Sequence, residues 1–159
     1  MDDLKWDSYY GKCDPYIIEE FEEKVGFKFP NSYKNLVTEY NGAFLLNEKI
    51  IKIYNNYFNQ ELNIDLGMFL PFDAGIDSSE TMERSFQSAS NYLPKGIILF
   101  SSLADGDALC FDYRTGEKNN PKIKVFHFGG NERQGTLTSD VASNFDELIR
   151  LINSSASIN

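Results

Sequence analysis

Three short β-rich runs in the last third of the chain, residues 97–101, 107–113 and 122–128, are separated by little more than turns. Ala104-Asp105-Gly106 and Thr115-Gly116-Glu117 supply the turn chemistry between them. Asp bonds its own backbone, and Gly takes positive φ at no steric cost. A parallel pair needs a crossover of a dozen residues or more, so connections this short impose antiparallel pairing. Whatever else the chain does, it has to pack against that meander.

The rest of the sequence supplies helices for the purpose. Asp14-Pro15 is a helix start, a capping carboxylate followed by a proline that suits the first helical position. Ile17, Ile18, Phe21 and Val25 then share one face, and Gly26 ends the helix. A second helix opens at Pro30-Asn31-Ser32, carries a stripe of Tyr33, Leu36, Val37 and Tyr40, and stops at Asn41-Gly42. The two form an αα-hairpin. Residues 49–54 read as a strand, Asn55-Asn56 and Asn59-Gln60 as a polar turn region, and residues 64–72 as a second strand ended by Pro71 and Asp73-Ala74-Gly75. Residues 79–91 form a third helix with Met82, Phe86 and Ala89 inward. Ser143 caps a final helix whose apolar face is Phe145, Leu148, Ile149 and Ile152, with Asp146 in the capping-box position. Helices and strands are partly segregated, which predicts an α+β fold around an antiparallel sheet. No repeat, low-complexity tract or long linker divides the 159 residues, so one domain is expected over 1–159, with its core at about 14–152. A domain of this size buries roughly 70% of its unfolded surface and needs no disulfide or metal to hold its core.

Charge narrows the partners. The net charge is −9, from 24 acids against 15 bases. Nucleic-acid binders need a positive footprint, so DNA and RNA are not expected as partners, and neither is an anionic membrane. A basic protein is electrostatically suited, although solubility alone also accounts for an acidic surface. Cys13 and Cys110 lack a CxxC spacing, and two free thiols fit a reducing cytosol. The first eleven residues lack the apolar stretch of a signal peptide, and Gly96-Ile97-Ile98-Leu99-Phe100 is too short to span a bilayer. A cytoplasmic location follows as the expectation.

The residues that would carry chemistry are few. His127 is the only histidine, which removes HExxH and multi-histidine zinc centres. It lies within a strand. A catalytic reading needs a nucleophile or carboxylate aimed at it, and the structural reading is a hydrogen-bonded ring in the sheet. Asp105-Gly106-Asp107 reads as either a cation site or a β-turn, and the EF-hand order is not met. Gly129-Gly130-Asn131 lacks the frame of a phosphate loop and reads as a loop after a strand. There is no GxSxG elbow. Carboxylate pairs are plentiful, and none stands out as an acid/base pair. On the first helix, Glu19 and Glu23 point outward and form a like-charge i,i+4 pair. Glu20 and Glu22 flank them, and Glu20 is placed to pair with Lys24. These acids are either a solvated face or a patch for a basic partner. The expected contact residues are Glu19, Glu22, Glu23, Asp73, Asp105 and Asp107; no catalytic, cofactor or metal residue is expected.

Ile18-x-x-Phe21-Glu22, Val25-Gly26, Phe29-Pro30, Tyr33-Lys34 and Tyr40-Asn41-Gly42 resemble the opening signature of the SUKH superfamily. The strand at 97–100, the turn at Ala104-Asp105-Gly106-Asp107, the strands at 108–113 and 124–128, and the closing Ala142-Ser143-x-Phe145-x-Glu147-Leu148 come in the family order. The likeness spans about residues 14–152. The chain departs from the pattern at Phe29, where Leu is frequent, and at Ala43-Phe44, where a second glycine is frequent. The resemblance implies a twisted, mostly antiparallel sheet packed by about four helices, and a non-enzymatic role in binding another protein. Bacterial members of that superfamily are commonly immunity proteins that neutralise a toxin, often a nuclease, and fungal members regulate cell-wall assembly. The partner expected on this basis is a basic toxin domain. A regulatory or scaffolding domain and a small-molecule or metal-binding domain are the alternatives.

Overall fold

The structure, a computed structural model, describes residues 4–72, 75 and 80–155. Asp73, one of the expected contact residues, lies outside them. Along the chain come β1 (Trp6–Ser8), α1 (Pro15–Val25), α2 (Asn31–Glu39), β2 (Ala43–Leu45), β3 (Ile50–Asn55), β4 (Gln60–Phe69), α3 (Met82–Ala89), β5 (Ile97–Leu103), β6 (Ala108–Glu117), β7 (Asn120–Phe126), β8 (Thr138–Ala142) and α4 (Phe145–Ser154). Strands β3 to β8 form one antiparallel sheet in sequence order, and β1 pairs with β2 in a separate ribbon. The fold is α+β, as the segregation of elements predicts.

The helix ends follow local chemistry. Asp14 accepts from the Tyr16 N–H, and Gly26 closes α1 at φ 82°. Thr81 caps α3, with Met82 and Ala89 buried and Phe86 packed against the core. The cap of α4 falls one residue later than expected, on Asn144, whose side chain accepts from the Glu147 N–H at 2.8 Å. Glu147 reaches back to the Ser143 N–H and hydroxyl at 3.1 and 2.8 Å. This shift puts a Glu three residues after the cap, where it can return the bond.

Strand boundaries also move, and β7 ends at Phe126, so that His127 and Phe128 lie beyond it. β6 runs through Thr115-Gly116-Glu117, and the turn falls on Lys118-Asn119, because Glu117 and Asn120 pair across a two-residue connection. β4 begins at Gln60, since Asn59 takes positive φ (56°) and completes the hairpin from β3; it ends at Phe69. β1, β2 and β8 are not legible locally. They are three to five residues long and owe their pairing to neighbours brought by the fold.

The sheet is bent. Its register slips between Leu66 and Phe69, between Leu99 and Ser101, and between Ile123 and Lys124. Such irregularities increase local twist. The bend brings the edge strands β3 and β8 together, so the sheet nearly closes. Asn56, just past β3, fastens the seam: its N–H donates to Ser139 Oγ and its Nδ2 to the Thr138 carbonyl, both at 2.7 Å.

The concave face holds the main core. Tyr33 of α2 is fully buried among Phe29, Phe100, Phe111 and Phe145, with ring centroids 4.9–5.7 Å away. Phe100 and Phe111 stack at 4.1 Å. The convex face of β5 to β7 is also covered, by a smaller cluster of Ile97, Leu99, Ala108, Cys110 and Phe126 with Leu93 and Leu137 against it. Burial on both sides explains the unbroken apolar run at residues 97–100. Both thiols are free and buried. Burial, helped by Asp14, pushes Cys13 up to about 11, and burial with Asp112 nearby pushes Cys110 up to about 12, so neither is a thiolate near neutrality.

Among the described residues, two carboxylates lie inside. Glu22 is 2% exposed. It accepts from the Phe29 N–H at 2.6 Å and pairs with Lys34 at 3.3 Å, pinning the α1–α2 connection. This corrects its placement among the contact residues: the chain leading into α2 covers that flank of α1. Lys24 turns to Glu83 of α3 instead of Glu20. Asp112 is 1% exposed and takes Arg114 and Lys124 at 3.0 Å. Burial alone would raise its pKa, but bonds from Arg114 and Lys124 outweigh burial and hold it at about 2.

Glu22→Ala strips the Phe29 N–H and Lys34 of their partner and lowers stability by about 3 kcal/mol, whereas Glu19→Ala stays within about 0.5 kcal/mol; urea unfolding compares them. Asp112 has its folded pKa below its unfolded one, so its contribution is present above about pH 4 and lost as pH falls towards 2. That contribution is of order 2 kcal/mol. Asp112→Asn flattens the acid limb of the stability curve in that window, although it is itself less stable at pH 7.

Candidate functional site

His127 follows β7 and is 1% exposed. Its Nδ1 lies 2.7 Å from Asp107 Oδ2, and its Nε2 lies 2.6 Å from Ser139 Oγ. The Asn56 N–H donates to Ser139 Oγ. With a neutral imidazole protonated at Nδ1, His127 donates to Asp107 and its Nε2 accepts from the Ser139 hydroxyl. A serine, a histidine and an aspartate in this order match the geometry of a nucleophilic triad. However, Ser139 is fully buried, and its hydroxyl also accepts a backbone N–H. It has no exposed surface from which to meet a substrate. The relay instead fastens the β3–β4 turn, β8, the end of β7 and the β5–β6 turn to one another. The ring is hydrogen-bonded, as the structural reading expects, with a carboxylate and a hydroxyl as its partners, but His127 lies just past β7 and not within a strand.

The relay positions a set of exposed aromatic rings. Asn55, itself buried, accepts from the N–H groups of Tyr57 and Phe58 and shapes their turn. Tyr57 stacks on the His127 ring at 5.7 Å and meets Phe58 edge-on at 5.1 Å. Phe128, next to His127, has its N–H bonded to Asp107 Oδ1 and its ring 6.4 Å from Tyr92. Phe58, Tyr57, Phe128 and Tyr92 are 59, 44, 48 and 55% exposed. Large aromatic rings exposed to solvent are among the residues that anchor protein interfaces. The Gly129-Gly130 pair makes this possible. A Cβ on Gly130 would lie 2.0 Å from the Thr136 carbonyl oxygen, and one on Gly129 would lie 2.8 Å from the Tyr57 hydroxyl. These glycines pack a β7–β8 loop against its neighbours and form no phosphate cradle.

Beside Tyr92 and Phe128 lies a groove of about 230 Å³ between α3 and the β5–β6 turn. Leu70 and Leu99 are among its lining residues. Ser85 and Ser88 of α3, Ser101 and Ser102 of β5, Glu80 and Asp107 complete it. The expected acids therefore separate. Asp107 lines the groove, largely occupied by His127. Asp105 is exposed beside it and accepts the Asp107 N–H, with Gly106 at φ 95°, as a β-turn requires. Glu19 and Glu23 are exposed on α1 and do not line the groove. Glu22 is internal. The aromatic rings are the residues that the charge pattern overlooks. Tyr57, Phe58 and Tyr92 stand among Asn and Pro residues, where a ring has no periodic face to bury on, whereas Phe128 reads as the end of a strand. Among the described residues, no group of three or more His, Cys, Asp or Glu is arranged to hold a metal ion, and no helix is long and apolar enough to cross a membrane.

His127→Ala leaves Ser139 and Asp107 short of a partner inside the fold and lowers stability by about 3 kcal/mol; Ser139→Ala costs about 1–2 kcal/mol. Fluorescence of Trp6, packed on Phe69 at 5.4 Å, follows both in urea.

No curated protein matches the chain. The family model does: the helical hairpin, the six-stranded sheet and the first seven of the ten residues of α4 fall within residues 12–151, the span matched by the model of the SMI1 / KNR4 family (SUKH-1), and the chain belongs to that family.

Proposed function

We propose that this domain is an immunity protein that binds and neutralises a basic toxin domain, most simply a nuclease, in the cytosol. Membership of a family of protein-interacting immunity and regulatory domains is the observation that carries this reading. Three features support it. The net charge of −9 matches a partner whose substrate groove attracts phosphate. Glu19, Glu23 and Asp105 stand exposed, free to steer the encounter. The exposed rings around His127 supply apolar anchors that charge alone lacks. Neutralisation then needs no chemistry: the domain covers the toxin's groove and excludes its substrate.

The family includes regulatory as well as immunity domains, which keeps a regulatory or scaffolding domain as the second reading. The test is co-expression with a toxin domain encoded by the neighbouring gene. Restored growth and tight binding support immunity; exchangeable binding to a non-toxic partner supports regulation. The triple variant Glu19→Lys, Glu23→Lys, Asp105→Lys associates with the toxin about tenfold more slowly and with a flatter salt dependence. An unchanged on-rate removes these acids from the encounter surface.

A further inference from the structure

We propose that the pocket between the ends of α1 and α3 and the start of β5 receives an apolar side chain carried by an acidic segment of a second protein. Such a segment is opposite in charge to the basic toxin domain above, so this site and that reading do not depend on each other.

Apolar surface is left over at this place. Val25, Phe27, Phe86, Leu93 and Pro94 are half-buried and, with Lys95, line a pocket of about 240 Å³. Val25, Phe27 and Phe86 also pack on the main core, and Leu93 on the smaller cluster. What they leave uncovered by those cores converges on the pocket. Its volume is below the roughly 300–1,000 Å³ of small-molecule sites, and it suits a single side chain. Tyr113 fixes the walls before binding. Its hydroxyl donates to the Lys28 carbonyl at 2.7 Å, its N–H donates to the Gly96 carbonyl at 2.8 Å, and its ring stacks on Phe27 at 4.5 Å. Walls already in place reduce the ordering cost of binding.

Charge decides what carries that side chain. Among the described residues, Lys95 is the ionisable residue of the lining, and no carboxylate lines the pocket. Lys28 follows Phe27 in the chain. Ile97 pairs with Asp112 and Asp112 with Lys122, so Lys122 stands in the same row as Ile97, two strands and about 10 Å away. Lys28, Lys95 and Lys122 are exposed, and among the described residues none of them forms an ion pair. Acids on the neighbouring elements are committed elsewhere: Glu22 to Lys34, Glu83 to Lys24, and Asp112 to Arg114 and Lys124. Glu19, Glu20 and Glu23 of α1 do not line the pocket. The negative end of α3 is occupied too, since the Ala89 carbonyl accepts from the Tyr92 and Leu93 N–H groups and the Gln87 carbonyl from that of Ser90. In a chain of net charge −9, unanswered lysines around an apolar pocket select an anionic ligand. An apolar anchor flanked by carboxylates complements both features.

The test needs no identified partner. Isotope-labelled full-length protein is titrated with a capped pentapeptide that has leucine between two pairs of glutamates. Controls replace the leucine with alanine, the glutamates with lysines, or the whole peptide with N-acetyl-leucine. The leucine–glutamate peptide produces saturable amide shifts confined to residues 25–28, 86–98 and 113, with half-saturation in about the millimolar range expected for so short a probe. The alanine peptide and N-acetyl-leucine each bind about fivefold more weakly, and the lysine peptide produces no shifts. Lys28→Glu combined with Lys95→Glu, both at exposed positions, weakens binding about fivefold or more while circular dichroism stays unchanged, and Lys5→Glu leaves it intact. The proposal is overturned if the alanine peptide binds as well as the leucine peptide, which leaves only a charged surface, or if the lysine peptide does, or if the double variant keeps its affinity. It is equally overturned if N-acetyl-leucine binds more tightly than the peptide, which marks a small-carboxylate site, or if the pocket resonances move with protein concentration alone, which marks a second copy as the occupant. Any of these leaves the toxin-rescue experiment standing, so the two readings fail separately.

Discussion

Tyr33 is the point on which the fold turns. Fully buried on α2, it is surrounded by rings from the loop before it, from β5, from β6 and from α4. Each such contact adds about 0.5–1.5 kcal/mol beyond burial. Their joint effect is geometric: one side chain holds the helical hairpin, the centre of the sheet and the last helix at fixed separations. A flat sheet cannot wrap a cluster of that shape, and β4, β5 and β7 carry the irregularities that let it bend.

Bending has a consequence at the far edge. Once β3 and β8 approach, their polar groups must be satisfied where water is scarce. The Asn56–Ser139–His127–Asp107 relay does this, each group hydrogen-bonded to the next. A constellation that elsewhere performs acyl transfer is used here as a clasp. What separates the two uses is access: a nucleophile has to be reachable, and Ser139 is sealed by the very closure it supports. The clasp also fixes the surface above it. Tyr57 rests on the imidazole, and Phe128 and Asp107 take their positions from the same bonds. The core, the seam and the candidate interface are therefore one continuous arrangement.

The element types and the family were legible because they rest on local rules. Asp14-Pro15 and Gly26 mark the ends of α1 wherever it packs, and turns too short for a crossover force antiparallel neighbours. The cap of α4 slipped by one residue because Ser143 and Asn144 are both competent caps. The choice went to the one that places Glu147, not Asp146, in reach of the return bond. β1, β2 and β8 had no local signature long enough to read.

The sequence by itself determined the class of fold, the aromatic weight of its core, its acidity and the absence of standard metal, phosphate and nucleophile-elbow motifs. Each of these depends on residue type and spacing along the chain. Only the tertiary structure decided which acids meet solvent. Glu19 and Glu22 differ by three positions on one helix, yet one is exposed and the other is bonded inside. A helical projection gives the angle of a side chain but not what lies against it, and the chain entering α2 covers that flank. Burial, and with it the pairing of His127 with Asp107 and Ser139 across 20 and 12 residues, is a property of segments meeting in space.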